Sequence, residues 1–158
     1  MNSLNFIYPE IFISLSIMFL LLVGVFNKNS SNLIYNLSII VLIGTLALIL
    51  NYPIETSINL FNDSYKIDYL ASFMKILTMI SGIFVLIVSS RYLKLLKMFQ
   101  MEYSILILSS ILGMMVMISS NDLIVFYIGL ELQSLALYVL ASFNRDQIKS
   151  SEAGLKYF

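Results

Sequence analysis

The chain has 158 residues, of which 59% are hydrophobic and only 11% charged, and its mean hydropathy is +0.92; such values exclude an ordinary soluble domain. Nine basic and nine acidic residues cancel, so composition gives no electrostatic reason to expect a nucleic-acid partner. Cys and His are absent, which excludes disulfides and removes the usual ligands of zinc, haem iron and iron–sulfur clusters, so no metal site is predicted.

Five hydrophobic stretches are long enough to cross a bilayer. The predicted spans are 7–26, 33–50, 68–90, 103–119 and 122–143, and a sixth helix is predicted to begin near residue 152. The first stretch is interpreted as a retained helix and not a signal peptide, because its apolar run is long and lacks a basic start. The sequence therefore predicts an all-α membrane protein, a polytopic helix bundle that forms a single transmembrane region over residues 1–158.

Basic residues fall mainly on one side of this predicted bundle. Those in the odd-numbered connections are Lys28, Arg91, Lys94, Lys97, Arg145 and Lys149. On the opposite side, the long connection 51–67 contributes only Lys66. The positive-inside rule then places the odd-numbered connections in the cytoplasm or matrix and the N-terminus on the outer side.

Glu131, near the middle of the fifth span, is the first candidate site residue. It lies about 13–14 Å into the membrane from Asp122, where leaving a charge costs on the order of 3 kcal/mol. Acids at this depth are tolerated mainly where they face a protein interior or a water-filled cavity. An intramembrane acid is therefore a functional-site hypothesis by default.

Four hydroxyl residues share the helical face of Glu131, namely Tyr127, Ser134, Tyr138 and Ser142. Such a polar stripe can line a hydrated path or hydrogen-bond to a neighbouring helix. For the hydroxyls alone, helix packing is the favoured interpretation. For Glu131 the functional interpretation is favoured, because packing rarely needs an ionisable group at that depth.

Lys75, about 10 Å into the third span, is a second candidate. The competing interpretation is that its ammonium extends to the lipid headgroups. Asp68 and Asp122 precede two spans and are predicted to cap them. At the end of the chain, Ser151 is predicted to cap the sixth helix, with Lys156 just inside the membrane boundary and facing a partner.

Several segments of the chain resemble one family. They are Ser119-Ser-Asn-Asp-Leu-Ile, Tyr127-Ile-Gly-Leu-Glu-Leu-Gln-Ser-Leu, Tyr138-Val-Leu-Ala-Ser-Phe and Ser151-Glu-Ala-Gly-Leu-Lys-Tyr-Phe, with Tyr8-Pro-Glu, Asp68-Tyr-Leu-Ala-Ser-Phe-Met-Lys and Ser90-Arg-Tyr-Leu upstream. Together they resemble the N-terminal third of the N-type (mitochondrial subunit 2-type) antiporter-like subunit of NADH:quinone oxidoreductase, respiratory complex I.

The resemblance implies a function. In this family, other subunits pass electrons from NADH to quinone, and the membrane subunits use the released energy to move protons. Glu131 matches the helix-five glutamate of the family's proton path, and Lys156 matches a lysine in its Lys-Tyr-Phe segment. The resemblance implies no cofactor in this subunit, since NADH, FMN, iron–sulfur clusters and quinone belong to other subunits.

The resemblance also implies other membrane subunits of complex I and membrane lipids as partners. Family members are much longer and hold later lysines on broken helices within two inverted repeats. A second chain supplying the missing helices, a fragment of a longer protein and a truncated non-catalytic membrane remnant are therefore all open.

A multisubunit cation/proton antiporter is the alternative transporter, because it shares the helix-five glutamate. The wording Gly-Leu-Glu-Leu-Gln-Ser-Leu favours complex I. The expected location is the bacterial inner membrane, with the mitochondrial inner membrane as the alternative.

Overall fold

The computed structural model describes residues 6–26, 31–51, 57–96, 98–144 and 146–158. Its helices are α1 (Tyr8–Phe26), α2 (Ser31–Asn51), α3 (Tyr69–Leu95), α4 (Met101–Ile118), α5 (Leu123–Ala141) and α6 (Ile148–Tyr157), and a hairpin of strands β1 (Ile58–Leu60) and β2 (Tyr65–Ile67) precedes α3. The first five helices are long and apolar enough to cross a membrane. The prediction of a helical membrane bundle with five such helices and the beginning of a sixth is confirmed.

The helix ends differ from the predicted ones where hydropathy and hydrogen bonding end at different residues. Helix α3 continues to Leu95, past the predicted 90, because arginine, leucine and lysine support a helix after the apolar run has ended. Helix α6 begins at Ile148 with Gln147 at its N-cap. Ser151 therefore lies inside the helix, and its predicted role as a cap is wrong.

The two predicted aspartate caps have different outcomes. Asp68 caps α3, because its Oδ1 accepts a hydrogen bond from the backbone N–H of Ala71 at 2.8 Å. Asp122 occupies the N-cap position of α5 but makes no side-chain hydrogen bond there. The predicted position of Asp122 is confirmed, but the first turn of α5 lacks the stabilisation of a side-chain cap.

Consecutive helices run antiparallel. The end of α1 packs against the start of α2, where Gly24 lies beside Ile34, and the hydroxyl of Thr45 in α2 lies 3.3 Å from the sulfur of Met79 in α3. One end of the bundle therefore collects the hairpin together with the starts of α1, α3 and α5. We call it the hairpin end, and the other the opposite end.

The apolar core lies between the first four helices. Its buried residues are Ile13, Leu20, Ile34, Tyr35, Leu42, Ile49, Met79, Leu86, Ile105, Leu108, Ile111 and Met115. Helix α5 lies outside this core and packs mainly on α4. Of the residues in its apolar window 11% are buried, against 44% in that of α4, so α5 is the least enclosed of the five long helices.

The contact between α4 and α5 is a close approach of two backbones. A Cβ atom on Gly129 would lie 2.8 Å from the backbone nitrogen of Met117, and one on Gly113 would lie 2.6 Å from that of Gln133. Small residues allow this separation between membrane helices. The glycine pair therefore fixes the position of α5 against α4 two residues before Glu131.

The hairpin was not predicted, because residues 51–67 were interpreted as a connection. Its strands pair antiparallel with Ile58 opposite Ile67, and its tip, residues 61–63, has positive φ throughout. The backbone nitrogen of Lys66 donates to the carbonyl of Ser119 at 2.8 Å. The hairpin is thereby attached to the end of α4 and closes over the bundle at that side.

Three of the basic residues used to predict orientation, Lys28, Lys97 and Arg145, lie outside the described residues, as do Pro53 and Glu55 of the long connection. Arg91 and Lys94 belong to the end of α3, and Lys149 belongs to the first turn of α6. The side of the membrane that each end faces remains a prediction.

Candidate functional site

A cluster of three titratable side chains is buried at the hairpin end: Glu10, Tyr65 and Lys75, which we call the buried triad. The Nζ of Lys75 lies 2.5 Å from Oε1 of Glu10. The Tyr65 hydroxyl donates to the same oxygen at 2.7 Å and lies 3.3 Å from Nζ of Lys75. The Lys75 and Glu10 side chains are 4% and 8% exposed, so this is an ion pair withdrawn from solvent.

The chain topology explains why these residues meet. Glu10 is the third residue of α1 and Lys75 the seventh of α3, and both helices begin at the hairpin end. A helical side chain leans toward the N-terminus of its helix, so the long Lys75 side chain extends back toward the level of Glu10. Strand β2 then places the Tyr65 ring against the pair, with Nζ of Lys75 5.4 Å from the ring centroid.

The electrostatics of the triad are those of a charge-assisted hydrogen-bond network. Two donors converge on Oε1 of Glu10, whereas Oε2 is buried and has no hydrogen-bond partner among the described residues. Burial, followed by the negative charge of Glu10, raises the pKa of Tyr65 above its usual value of 10.0. Tyr65 therefore stays a neutral donor at physiological pH.

The triad corrects one interpretation of Lys75. An ammonium reaching the lipid headgroups would be exposed, but the Lys75 residue is 3% exposed and paired. The sequence identified this lysine and missed its two partners. Glu10 entered the sequence analysis only as part of the Tyr8-Pro-Glu motif, although an acid in the first turn of α1 and a lysine in α3 approach the membrane from the same end.

Glu131 lies in α5, half-buried and without an ion-pair partner within 4.0 Å in the described part of the chain. The Tyr127 phenol, one turn earlier, interacts with its carboxylate. The Ser134 hydroxyl donates to the backbone carbonyl of Glu131 at 3.2 Å, and that of Ser142 to the carbonyl of Tyr138 at 3.1 Å. Both serines of the polar stripe thus bond within their own helix.

Lys156 is exposed and lies 2.7 Å from Glu152, one turn earlier on α6. Helix α6 runs back along α5, since Gly154 packs against Ser142 and the Tyr157 ring lies edge-on to Tyr138 at 5.1 Å. Tyr138 is about 10 Å along α5 from Glu131. The structure therefore does not bring Glu131, Lys75 and Lys156 together: each lysine pairs with a different acid.

No group of three or more His, Cys, Asp or Glu residues that could hold a metal ion exists among the described residues. The carboxylates, amines and phenols of the buried triad and of the Glu131 stripe are groups that can bind and transfer protons.

A family model, curated proteins and a solved structure all relate this chain to NADH:quinone oxidoreductase. The family model described as "NADH:quinone oxidoreductase/Mrp antiporter, TM" matches residues 120–158. The chain is 71% identical over 158 residues to NADH-quinone oxidoreductase subunit N of Pelagibacter ubique, covering 100% of this chain and 34% of that protein. It is 47% identical over 157 residues to subunit N of Bartonella bacilliformis, covering 99% and 32%. The chain thus spans about a third of the length of these curated relatives.

Among solved structures, a chain of respiratory complex I from Thermus thermophilus, determined with bound aureothin, superposes with a TM-score of 0.78 and 21% identity. The superposition covers 95% of this chain and 32% of that one. At this identity the match supports the fold alone, which is that of a membrane subunit of such a complex.

Proposed function

Because this chain belongs to the family of NADH-quinone oxidoreductase subunit N, we propose that it forms part of the membrane arm of a proton-translocating NADH:quinone oxidoreductase. The observation that carries this proposal is the 71% identity to a subunit N along the whole chain. Five apolar helices long enough to cross a membrane support it further. Electron transfer from NADH to quinone, with its cofactors, is assigned to other subunits.

Within that function, Glu131 contributes the intramembrane proton-binding group. Helix α5 leaves it half-buried, on the helix that the described bundle encloses least. The remaining length of the longer relatives, in the same polypeptide or a second chain, would supply the facing surface. A lysine brought near a carboxylate favours its ionised form, and withdrawing that lysine favours proton uptake. Movement of such a lysine toward and away from Glu131 would therefore couple a conformational change to the release and uptake of a proton.

Lys156 enters the proposed path through its motif match and its place on α6, which packs along α5. For it to exchange protons with the stripe that contains Glu131, its contact with Glu152 must open. Exposed i,i+4 pairs of this kind are weak, about 0.3–0.5 kcal/mol, so opening costs little. Lys75 belongs to a separate site at the hairpin end.

The orientation we propose places the hairpin end on the outer side. Arg91, Lys94 and Lys149 then lie at the opposite end, toward the cytoplasm. The relatives reported above are bacterial, which supports the bacterial inner membrane over the mitochondrial one. The expected partners are the other membrane subunits and lipid.

The alternative of a cation/proton antiporter is supported only by the family model, whose description includes both classes. Relatives that align along the whole chain are oxidoreductase subunits. The two functions differ in what drives proton movement: NADH oxidation in one and a cation gradient in the other.

The test is the substitution Glu131→Gln in the intact membrane complex that contains this chain. Gln keeps the size of the side chain and removes its titrating proton, so assembly should be retained while NADH-driven proton translocation is lost. The matched control is Glu102→Gln, an exposed acid in the first turn of α4, which should translocate at the wild-type level. Wild-type translocation by the Glu131→Gln complex would contradict the proposed role.

A further inference from the structure

The buried triad lies apart from Glu131, and the proposed function above does not use it. We propose that Lys75 and Glu10 form a proton relay, in which the Lys75 ammonium passes its proton to the Glu10 carboxylate and Glu10 releases it at the hairpin end. This proposal rests on the proposed function, because NADH oxidation must drive the proton that enters the relay.

The contacts meet the geometric requirement for proton transfer. Nζ of Lys75 and Oε1 of Glu10 are 2.5 Å apart, in the direct contact that transfer between heavy atoms requires. The Tyr65 hydroxyl donates to the same oxygen, so Oε1 is saturated with donors while the buried Oε2 has none among the described residues. The carboxyl torsion is broad and two-fold, so a proton taken on Oε1 can leave from the Oε2 position after rotation.

The proton balance needs a donor on the interior side, a water molecule or a protonated side chain, and a water molecule at the hairpin end as the acceptor. The resting pair is an ammonium and a carboxylate, with zero net charge. Transfer along the 2.5 Å contact gives a neutral amine and a neutral carboxyl, again with zero net charge. The carboxyl then releases its proton at the hairpin end, and the amine takes up a proton from the membrane interior. Each cycle takes in one proton and releases one.

The direction of the relay is assigned from the backbone positions of the two residues along their helices. Lys75 lies six residues beyond the first residue of α3, about 9 Å along the axis, whereas Glu10 lies two residues, about 3 Å, into α1. The neighbouring charges at this end are Lys66 and Asp68, which pair at 3.5 Å and are 42% and 34% exposed. The hairpin end therefore carries water-exposed polar groups on the side where the relay releases its proton.

The triad also stands apart from Glu131 in the fold. Helix α4 lies between them, with Ile111 packed against α3 at Gly82 and Gly113 packed against α5. The core residues of α4 on this path, including Ile111 and Met115, are apolar and buried. The relay is therefore a second proton-transfer site and not an extension of the stripe on α5.

The competing explanation is a structural clamp that joins α1, α3 and the hairpin. The substitution Lys75→Arg separates the two. A guanidinium keeps the positive charge and can pair with Glu10, but it does not release a proton in proteins. The relay predicts an assembled complex with loss of NADH-driven proton translocation, whereas a clamp predicts translocation at the wild-type level, which would overturn the proposal.

The matched control is Lys94→Arg on the same helix. Lys94 is exposed at the opposite end, with its Nζ 4.9 Å from the Phe99 ring centroid, and arginine can keep that contact. Its complex should translocate protons at the wild-type level. Loss of translocation in this control as well would show that arginine at any lysine of α3 impairs the complex, and would overturn the specific role of Lys75.

A second variant covers the case in which arginine does not fit. The double substitution Glu10→Gln with Lys75→Met removes both charges, and replacing a buried ion pair by neutral groups of similar volume is often tolerated. Assembly without NADH-driven translocation would support the relay. Assembly with wild-type translocation, or failure of both variants to assemble, would mark the triad as structural and overturn it.

Measuring Glu131→Gln in the same preparation separates failure of the relay from failure of the proposed function. If Glu131→Gln loses translocation and Lys75→Arg keeps it, the relay alone is wrong. If both keep it, the proton role of the chain is wrong as well.

Discussion

The two regions that hold intramembrane charges differ in how the fold encloses them. At the hairpin end, between α1 and α3, Glu10 and Lys75 form a closed pair with side chains 8% and 4% exposed. On α5 and α6, Glu131 is half-buried without an ion-pair partner among the described residues, and Lys156 pairs with Glu152 at the surface. The depth of an ionisable residue along its helix marks it as a candidate site. Whether that residue has an ion-pair partner among the described residues depends on how far other helices and the hairpin enclose it.

The largest effect expected from this difference is on stability at the closed pair. Lys75→Ala leaves the Glu10 carboxylate buried without its counter-charge, which should lower the free energy of unfolding by about 3–5 kcal/mol. Denaturation in detergent micelles measures this loss. The control is Lys149→Ala, an exposed lysine of α6, which should change stability by about 0.5 kcal/mol or less. Equal losses in the two variants would contradict the closed-pair description.

The next largest effect is expected at the contact between α4 and α5, which holds the less enclosed region in position. Gly129→Ala places a methyl group 2.8 Å from the backbone nitrogen of Met117, so α4 and α5 must separate, at a cost of about 1–3 kcal/mol. Gly44→Ala is the control, because among the described residues a Cβ there meets the Phe12 ring alone, at an ordinary contact distance of 3.4 Å. Thermal unfolding of both variants measures the difference. An equally stable Gly129→Ala chain would show that α5 does not depend on this contact.

A smaller effect is expected in the pH dependence of stability, through Tyr65 of the buried triad. The pKa of Tyr65 is raised by burial and by Glu10, so above pH 10 the unfolded chain loses this proton before the folded one. The stability from the protonated phenol is fully present below about pH 10 and is lost as the pH rises toward the folded pKa. Between pH 10 and 11, wild-type stability should fall more steeply than that of Tyr65→Phe, by up to about 1.4 kcal/mol per pH unit. Parallel slopes would contradict the raised pKa.

The smallest effect is expected at the exposed pair. Lys156→Ala removes a contact between side chains that are 75% and 57% exposed, which should cost about 0.5 kcal/mol or less. The same denaturation measurement applies, with added salt as the control, because screening should reduce the difference further. A loss comparable to that of Lys75→Ala would erase the distinction between the two regions.

Much of the fold follows from local sequence. Hydropathy predicts the five long helices, and the Asp68 cap was predicted from its place before the third span. The hairpin was missed, although apolar residues alternate at Ile58, Leu60, Tyr65 and Ile67 on either side of a polar turn, a pattern typical of a β-hairpin. In a chain dominated by helical spans, this short signal was interpreted as a connection.

The candidate sites were predictable in part for the same reason. Glu131 and Lys75 were identified from their depth, which depends only on position along one helix. The pairing of Lys75 with Glu10 across 65 residues of sequence, and with Tyr65 from the hairpin, depends on which helices are neighbours. Depth alone does not contain that information, so only the structure identifies the triad.

The most direct test of the central claim is native electrophoresis of mildly solubilised membranes, stained for NADH dehydrogenase activity and probed for this polypeptide. The proposed function predicts that the chain migrates in the active high-mass band, alone or as part of a longer product. Its absence from that band, with the chain detected elsewhere in the membrane, would contradict the proposal that it belongs to a working NADH:quinone oxidoreductase.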